Sequence, residues 1–308
     1  MVSTDAAESV HSQHAARLKG IVCMLIAVGS FAGLDTFLKL LSQHYPTIQV
    51  VAMRGAASLP FLVLPALFMG NARELKPVRW GWHLFRGFLQ VALLGTFIYA
   101  LRQLSLADTY AIFLCAPLIV TALSVPVLKE HVGWRRWIAI AVGMCGVLVM
   151  LRPSGSNLVT VGALAALLSA AMYATTVITV RMLTRTETPA SITLWPMAIL
   201  TILTTLYAAP NWVGIRFEHW GWLIGTGAVG ALGTRMLTEA FRFAPASVVA
   251  PFEYTALLWG VAIDWFLWNT LPSLRVWLGG AVVISSGLYL ILRERQIRLA
   301  ALSAAPPP

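Results

Sequence analysis

"ALRQLSLADTYAIF" (100–113) can be written above "AFRFAPASVVAPFE" (240–253) without a gap, and "LKEHVGWRRW" (128–137) above "WNTLPSLRVW" (268–277) at the same spacing. Ala100 meets Ala240, Arg102 meets Arg242, Arg135 meets Arg275 and Trp137 meets Trp277, every pair 140 positions apart. Few positions are identical. A single offset held through several helices and their connections still marks an internal repeat.

The flanking sequence says what is repeated. A helix needs about 20 mostly apolar residues to cross about 30 Å of hydrocarbon. Ten runs qualify: 20–41, 47–69, 81–101, 107–128, 136–151, 159–180, 189–209, 219–241, 247–268 and 274–292. Five spans per half is an odd number, so the second half must enter the membrane in the opposite sense. Inverted repeats with a site between them are a plan of secondary transporters. The fold expected is an all-α integral membrane protein of ten transmembrane helices, built as two inverted five-helix repeats at 19–152 and 158–293. Cytoplasmic tails at 1–18 and 294–308 flank them.

Composition excludes most alternatives. The 308 residues are 58% hydrophobic and 11% charged, with mean hydropathy +0.78. A soluble domain carries about 25% charged residues, so these charges cannot cover a soluble surface. The net charge of +10 is scattered singly and in pairs between apolar runs. It forms no basic stripe, and nucleic acid is not an expected partner. Cys23, Cys115 and Cys145 all lie in apolar runs and read as small buried hydrophobes, not a disulfide frame. No cleavable signal peptide is expected, so the first helix is its own membrane signal.

Lys and Arg set the orientation. With the N-terminus in the cytoplasm, fourteen fall on the inner side and four on the outer, Arg102, Arg152, Arg216 and Arg275. The remaining Lys39, Arg54, Arg86 and Arg235 lie within spans. The positive-inside rule then puts both termini in the cytoplasm and the chain in the inner membrane. Tryptophans at span ends, such as Trp80, Trp134, Trp212, Trp220, Trp268 and Trp277, fit the interface.

The residues also resemble a family. "DTFLK" in span 1, Arg54 in span 2, "ALRQLSLADTYAIFLCAPL" leading to "LKEHVGWRRWIAIAVGMCGVLVM", "APFEYTALLWGVAIDWF" and "GGAVVISSGLYLILRER" are together similar to the drug/metabolite transporter superfamily, in its ten-helix group with two EamA domains. The resemblance covers about Lys19 to Arg293. One departure is visible: Glu130 follows the fourth span, but Thr270 stands where the family often has a second acidic residue. The resemblance implies transport of small metabolites through a site built mainly from spans 1, 3, 4, 6, 8 and 9.

Other motifs carry less. "GTGAVG" (225–230) matches GxGxxG, but a dinucleotide loop needs a strand before it. Inside a span, small residues that let helices approach explain it better, as they do Gly143, Gly146, Gly279 and Gly280. No HExxH or convergent Cys/His spacing suggests a metal, and no cofactor is expected. No catalytic cluster supports an enzyme.

Charges within spans are the informative features, because each needs a partner or a water-filled cavity. Asp35 and Lys39 are four apart on one helix. Asp35 lies about five residues past the middle of its span, or roughly 7 Å. Arg54 is level with it across the Ser42–Pro46 turn, and its planar fork suits a carboxylate; Lys39 is the secondary partner. Arg235 and Glu253 are equally distant from the next span 8–9 turn and are expected to touch, with Glu239 competing. Asp264 is expected at the interface, and Arg86 is expected to snorkel. A buried ion pair fixing helix register and a contact to substrate or proton both answer each pair. Tyr99, Tyr110, Phe113, Tyr173 and Tyr254 interleave with these charges and could line an amphipathic cavity.

The candidate binding or gating residues are therefore Asp35, Arg54, Tyr99, Tyr110, Phe113, Tyr173, Arg235, Glu253 and Tyr254. The expected function is secondary transport of a small organic metabolite, amino-acid-like, zwitterionic or neutral and polar, by alternating access. The expected partners are that substrate, the bilayer and, as candidate coupling ion, the proton. A membrane enzyme acting on a lipid and a non-transporting membrane subunit are the alternatives.

Overall fold

A computed structural model describes residues 2–68, 76–129, 133–151, 160–184 and 186–303. Arg73, Glu130, His131, Arg152, Arg185 and Pro308, which enter the loop and orientation readings, lie outside the described residues. The elements are α1 (Val2–His44), α2 (Thr47–Phe68), α3 (Trp80–Gln103), α4 (Leu106–Phe113), α5 (Ala116–Leu128) and α6 (Trp134–Leu151). They continue with α7 (Val161–Leu183), α8 (Pro189–Ala208), α9 (Trp220–Phe243), α10 (Ala246–Val249), α11 (Ala256–Trp268) and α12 (Leu274–Ser303). Among the described residues, seven helical stretches are long and apolar enough to cross a membrane: Ala16–His44, Thr47–Leu64, Trp80–Gln103, Leu106–Leu128, Val161–Leu183, Pro189–Asn211 and Leu274–Arg293. Large apolar side chains such as Leu148, Leu206, Leu232, Phe266 and Leu278 stand exposed on the perimeter, as a lipid solvent allows.

Local chemistry sets the helix starts. Ser105, Thr160 and Thr188 each accept a hydrogen bond from the amide three residues on, those of Asp108, Ala163 and Ser191. Each thereby satisfies one orphan donor of the first turn. Proline sets the breaks. Pro117 falls in the first turn of α5, directly after the turn at Leu114 and Cys115. Pro251 falls in the first turn of a 3-10 segment, Ala250–Thr255, that joins α10 to α11. Proline has no N–H to give, so the preceding helix cannot run through unchanged. Two spans that read as continuous from hydropathy are thus each broken part-way.

Boundaries recur at the sequence offset of 140. α3 and α9 start at Trp80 and Trp220, and end at Gln103 and Phe243. α4 and α10 start at Leu106 and Ala246, and α5 and α11 start at Ala116 and Ala256. α5 and α11 are both stopped by a left-handed residue, Lys129 (φ 57°) and Asn269 (φ 52°). Among the described non-glycine residues these are the two with positive φ.

Packing recurs as well. α1 packs on α9 as α3 packs on α7; α2 packs on α9 as α8 packs on α3; α5 packs on α7 as α11 packs on α1. The contacts α2 with α8 and α6 with α12 join positional equivalents, and α4 with α11 joins the two broken spans. Glycines permit the closest of these approaches. A side chain at Gly227 would strike the carbonyl of Ala57, and one at Gly230 would meet Leu34. A side chain at Gly146 would meet the carbonyl of Gly279 across the α6–α12 seam. Position 225 is likewise closed by Phe37, so "GTGAVG" is a packing stripe. Of the cysteines, Cys115 is buried, Cys23 half-buried and Cys145 exposed, and all three are free.

Candidate functional site

The middle of the bundle collects most of the predicted residues. Asp35 on α1 accepts a hydrogen bond from the Tyr110 hydroxyl on α4 at 2.8 Å. Arg54 on α2 is the cation whose field acts on Asp35. It stands outside ion-pair distance, and its buried Nε has no hydrogen-bond partner. Depth along the two helices therefore brings Arg54 near Asp35, but the direct bond goes to Tyr110. One turn along α4, Phe113 meets Tyr173 of α7 at 5.3 Å and Phe97 of α3 at 5.2 Å between ring centroids. Tyr173 is 40% exposed.

Glu253 sits in the 3-10 segment of the second broken span and is exposed. Its charge acts on Tyr173 and Tyr254. The adjacent Tyr254 is buried, and its hydroxyl fills the space that a side chain at Gly287 would need. Tyr99 is half-buried on α3 and joins none of these contacts.

Four charge assignments change. Arg235 and Glu253 form no ion pair: Arg235 is exposed on α9, and Glu239 pairs with Arg242 at 3.6 Å. Equal distance from a turn fixes depth only in a regular helix. Glu253 lies in a 3-10 segment, which rises about 2.0 Å per residue instead of about 1.5 Å and turns faster. Lys39 is not a partner of Asp35. It faces Asp264 at 3.6 Å, donates to the Leu104 carbonyl at 2.9 Å and lies 4.6 Å over the ring of Trp268. Asp264 is 1% exposed; it accepts from the amides of Leu106 at 3.1 Å and Ala107 at 2.7 Å, the first turn of α4. Arg86 is buried and donates to the Ile192 carbonyl. Nearness to a span end suggested water for both Asp264 and Arg86, but each points inward, where a backbone group receives it.

Two clasps that hydropathy could not reveal hold the loops. Glu187, between α7 and α8, accepts from the amides of Val78 at 2.9 Å and Arg79 at 2.6 Å and from the Ser191 hydroxyl at 3.1 Å. The same carboxylate lies 3.3 Å from His83. Burial pushes the Glu187 carboxyl up, but these hydrogen bonds outweigh it and hold it below the usual range. At the opposite end, the Tyr45 hydroxyl meets Nδ1 of His219 at 2.8 Å and accepts from the Arg216 amide at 3.0 Å. Gln49 exchanges two hydrogen bonds with the backbone of Val213.

Two cavities of about 490 Å³ each lie at the perimeter. One is on the α6–α12 seam beside Trp134, Ile138 and Tyr289; the other is between α2 and α9 beside Phe61, Trp220 and Ile224. Both are mainly apolar grooves rimmed by exposed side chains over a buried floor, Ala139 and Ser286 in one and Ala52 and Met53 in the other, and neither includes a predicted site residue. The polar residues, not these grooves, mark the candidate site.

The family model described as EamA-like transporter family matches residues 18–152 and again 160–293. The chain belongs to the EamA-like transporter family. It is 28% identical over 283 residues to a riboflavin transporter of Vibrio cholerae, covering 89% of this chain and 93% of that one. It is 26% identical over 278 residues to an S-adenosylmethionine uptake transporter of Rickettsia bellii, covering 90% and 94%. It is 24% identical over 268 residues to a pseudopaline exporter of Pseudomonas aeruginosa, covering 86% and 93%. A solved crystal structure matches with a TM-score of 0.61 across 92% of this chain and 99% of its own, at 16% identity, a likeness of fold alone. The chain is a multi-pass membrane protein whose relatives are named as transporters of small molecules.

Proposed function

We propose that this protein is a secondary transporter that moves a small organic metabolite, zwitterionic or neutral and polar, across the inner membrane by alternating access. The observation that carries the reading is the recurrence of the broken span. Leu106–Leu128 and Ala246–Trp268 start, restart and end at one offset, and α4 packs on α11. Broken helices meeting at a repeat interface are where transporters hold substrate. On this reading the chain is ten spans in two inverted repeats, 19–152 and 158–293, with both termini cytoplasmic.

The binding residues are Asp35, Tyr110 and Arg54 on one side of the site, and Phe113, Tyr173, Glu253 and Tyr254 on the other. Tyr99 and Arg235 are peripheral. Among the described residues Glu253 forms no ion pair, and the buried Nε of Arg54 has no hydrogen-bond partner. A substrate bearing both an ammonium and an anionic or polar group suits that pattern, and a proton on Glu253 would serve for coupling. Riboflavin, S-adenosylmethionine and pseudopaline in the relatives' names differ from one another, so family membership does not select among them.

The test is purified protein in sealed proteoliposomes, screened for uptake of amino-acid-like and nucleoside-like solutes with and without an imposed proton gradient. Protein-dependent accumulation of one solute supports the reading. Absence of any solute flux, with ligand-induced thermal stabilisation also absent, refutes it. Reporter fusions at the two termini check the orientation.

A further inference from the structure

The Lys39–Asp264 pair lies outside the residues assigned to substrate, and it fastens the two halves of the chain together. Asp264 belongs to α11, whereas Lys39, Leu104, Leu106 and Ala107 all belong to the first half. All of them sit at the end of the bundle where α1 finishes and α4 begins. Beneath them α11 lies directly on the backbone of α4: a side chain at Gly260 would strike Ala107 and Tyr110. Below that is the site's own bond from Tyr110 to Asp35. From this end the site is therefore covered in two successive layers.

The other end differs. At the repeat offset, Lys39 corresponds to Thr179, Asp264 to Ser124 and Trp268 to Leu128. Thr179 bonds to the carbonyl of Thr176 and Ser124 to that of Thr121, each within its own helix. Neither hydroxyl reaches across the repeats. Glu253 and Tyr173 are both exposed, whereas the layers toward Lys39 are closed.

We propose that Lys39 and Asp264 form the gate at the bundle end opposite the N-terminus, and that this joint must open in each transport cycle. The proposal rests on the transporter reading for its purpose, but not for its geometry. Lys39 is the releasable half, because Asp264 keeps two backbone amides when the ammonium leaves. The pair is thus a charged lock on one end of an otherwise repeated frame, and it sets which end stands open at rest.

The experiment reads access from each face without needing a known solute. A single reporter thiol, Phe113→Cys, is placed in a background with Cys23→Ala, Cys115→Ala and Cys145→Ala. Its alkylation by a membrane-impermeant sulfonated maleimide is timed in right-side-out and inverted vesicles. Lys39→Met keeps the length of the side chain and removes its charge. It is expected to raise the rate from the Lys39 face about tenfold, the ratio that about 1.4 kcal/mol of population shift produces, and to lower the rate from the opposite face. Lys39→Arg is expected to restore the parent pattern, as a merely loosened fold would not. Unchanged rates in Lys39→Met, or rates rising equally from both faces, overturn the gate. If the reporter chain shows the face-specific shift but the parent chain, with Phe113 intact, carries no tested solute, the gate stands and the transporter reading falls.

Discussion

The two broken spans share a backbone plan and differ in almost everything else. In the first, α4 is buried around Leu106, Ala107, Tyr110 and Ala111, and its amides are capped by a carboxylate from the other half. In the second, the break itself carries an exposed carboxylate, Glu253, where the first has Phe113. A duplicated frame fixes where helices start, break and stop. It does not fix which break is sealed and which is open, because that depends on single charges absent from the other copy. The first broken span carries a joint at its start; the second carries an exposed carboxylate at its break.

The largest effect tests the joint. Asp264→Ala removes the ion-pair partner of Lys39, leaves it only the field of Asp108, and takes a partner from two amides. Removing one member of a buried pair costs about 3–5 kcal/mol, so folded yield and thermal unfolding in detergent should fall sharply. Lys39→Met in the same chain should recover part of the loss. If the double variant is no more stable than Asp264→Ala alone, the ammonium and the carboxylate are not coupled, and the joint is capping alone.

The next tests the layer beneath. Tyr110→Phe keeps the ring and removes the donor to Asp35. A hydrogen bond to a charged group contributes about 1.5–3 kcal/mol, and unfolding should shift by an amount in that range. Asp35→Asn with Tyr110→Phe should cost less than the sum of the two singles, as residues in contact do. Strict additivity would separate the two residues and remove the seal from the first break.

A control lies outside both breaks. The Glu187 carboxyl is held below its ordinary value of 4.5, so the unfolded chain takes up the proton first as pH falls. Its contribution is complete above about pH 4.5 and is lost as pH drops through the lowered folded value. Glu187→Gln should flatten the fall of melting temperature between roughly pH 5 and pH 3. It should also cost about 1 kcal/mol at neutral pH, since the amide still accepts from Val78 or Arg79. An unchanged acid profile would show that the clasp does not form.

Much of this contrast was legible in the sequence, and the missing part has a physical cause. The offset of 140 predicts the matching helix ends, and the glycine stripes predict the close approaches. Pro117 and Pro251 were visible signals of the breaks, yet hydropathy averages over them. Depth arithmetic brought Arg54 near Asp35 because both helices are regular there. It failed for Arg235 and Glu253 because a 3-10 segment intervenes. Asp264 and Arg86 were misplaced for a different reason: distance from a span end says nothing about the direction a side chain takes around its helix. Backbone amides as partners, as at Leu106 and Ala107, leave no mark in side-chain patterns at all.

The smallest stability effect makes the sharpest statement about the second break. Glu253 is exposed, forms no ion pair and accepts no hydrogen bond from another described residue. Glu253→Gln therefore strands no partner, and surface-like substitutions of this kind stay within about 0.5 kcal/mol. Melting temperature should be unchanged in the absence of solute. Function should change, because on the proposed reading this carboxylate, which faces no cation, is the group that meets a substrate's ammonium or a proton. If Glu253 carries a coupling proton, the variant should lose gradient-driven uptake and keep solute exchange. If it binds an ammonium group, uptake and exchange should fall together, and the solute should no longer raise the melting temperature. A variant with full uptake, full exchange and unchanged stability would leave the second break without a functional charge, and the difference between the two would then lie in the Lys39 joint alone.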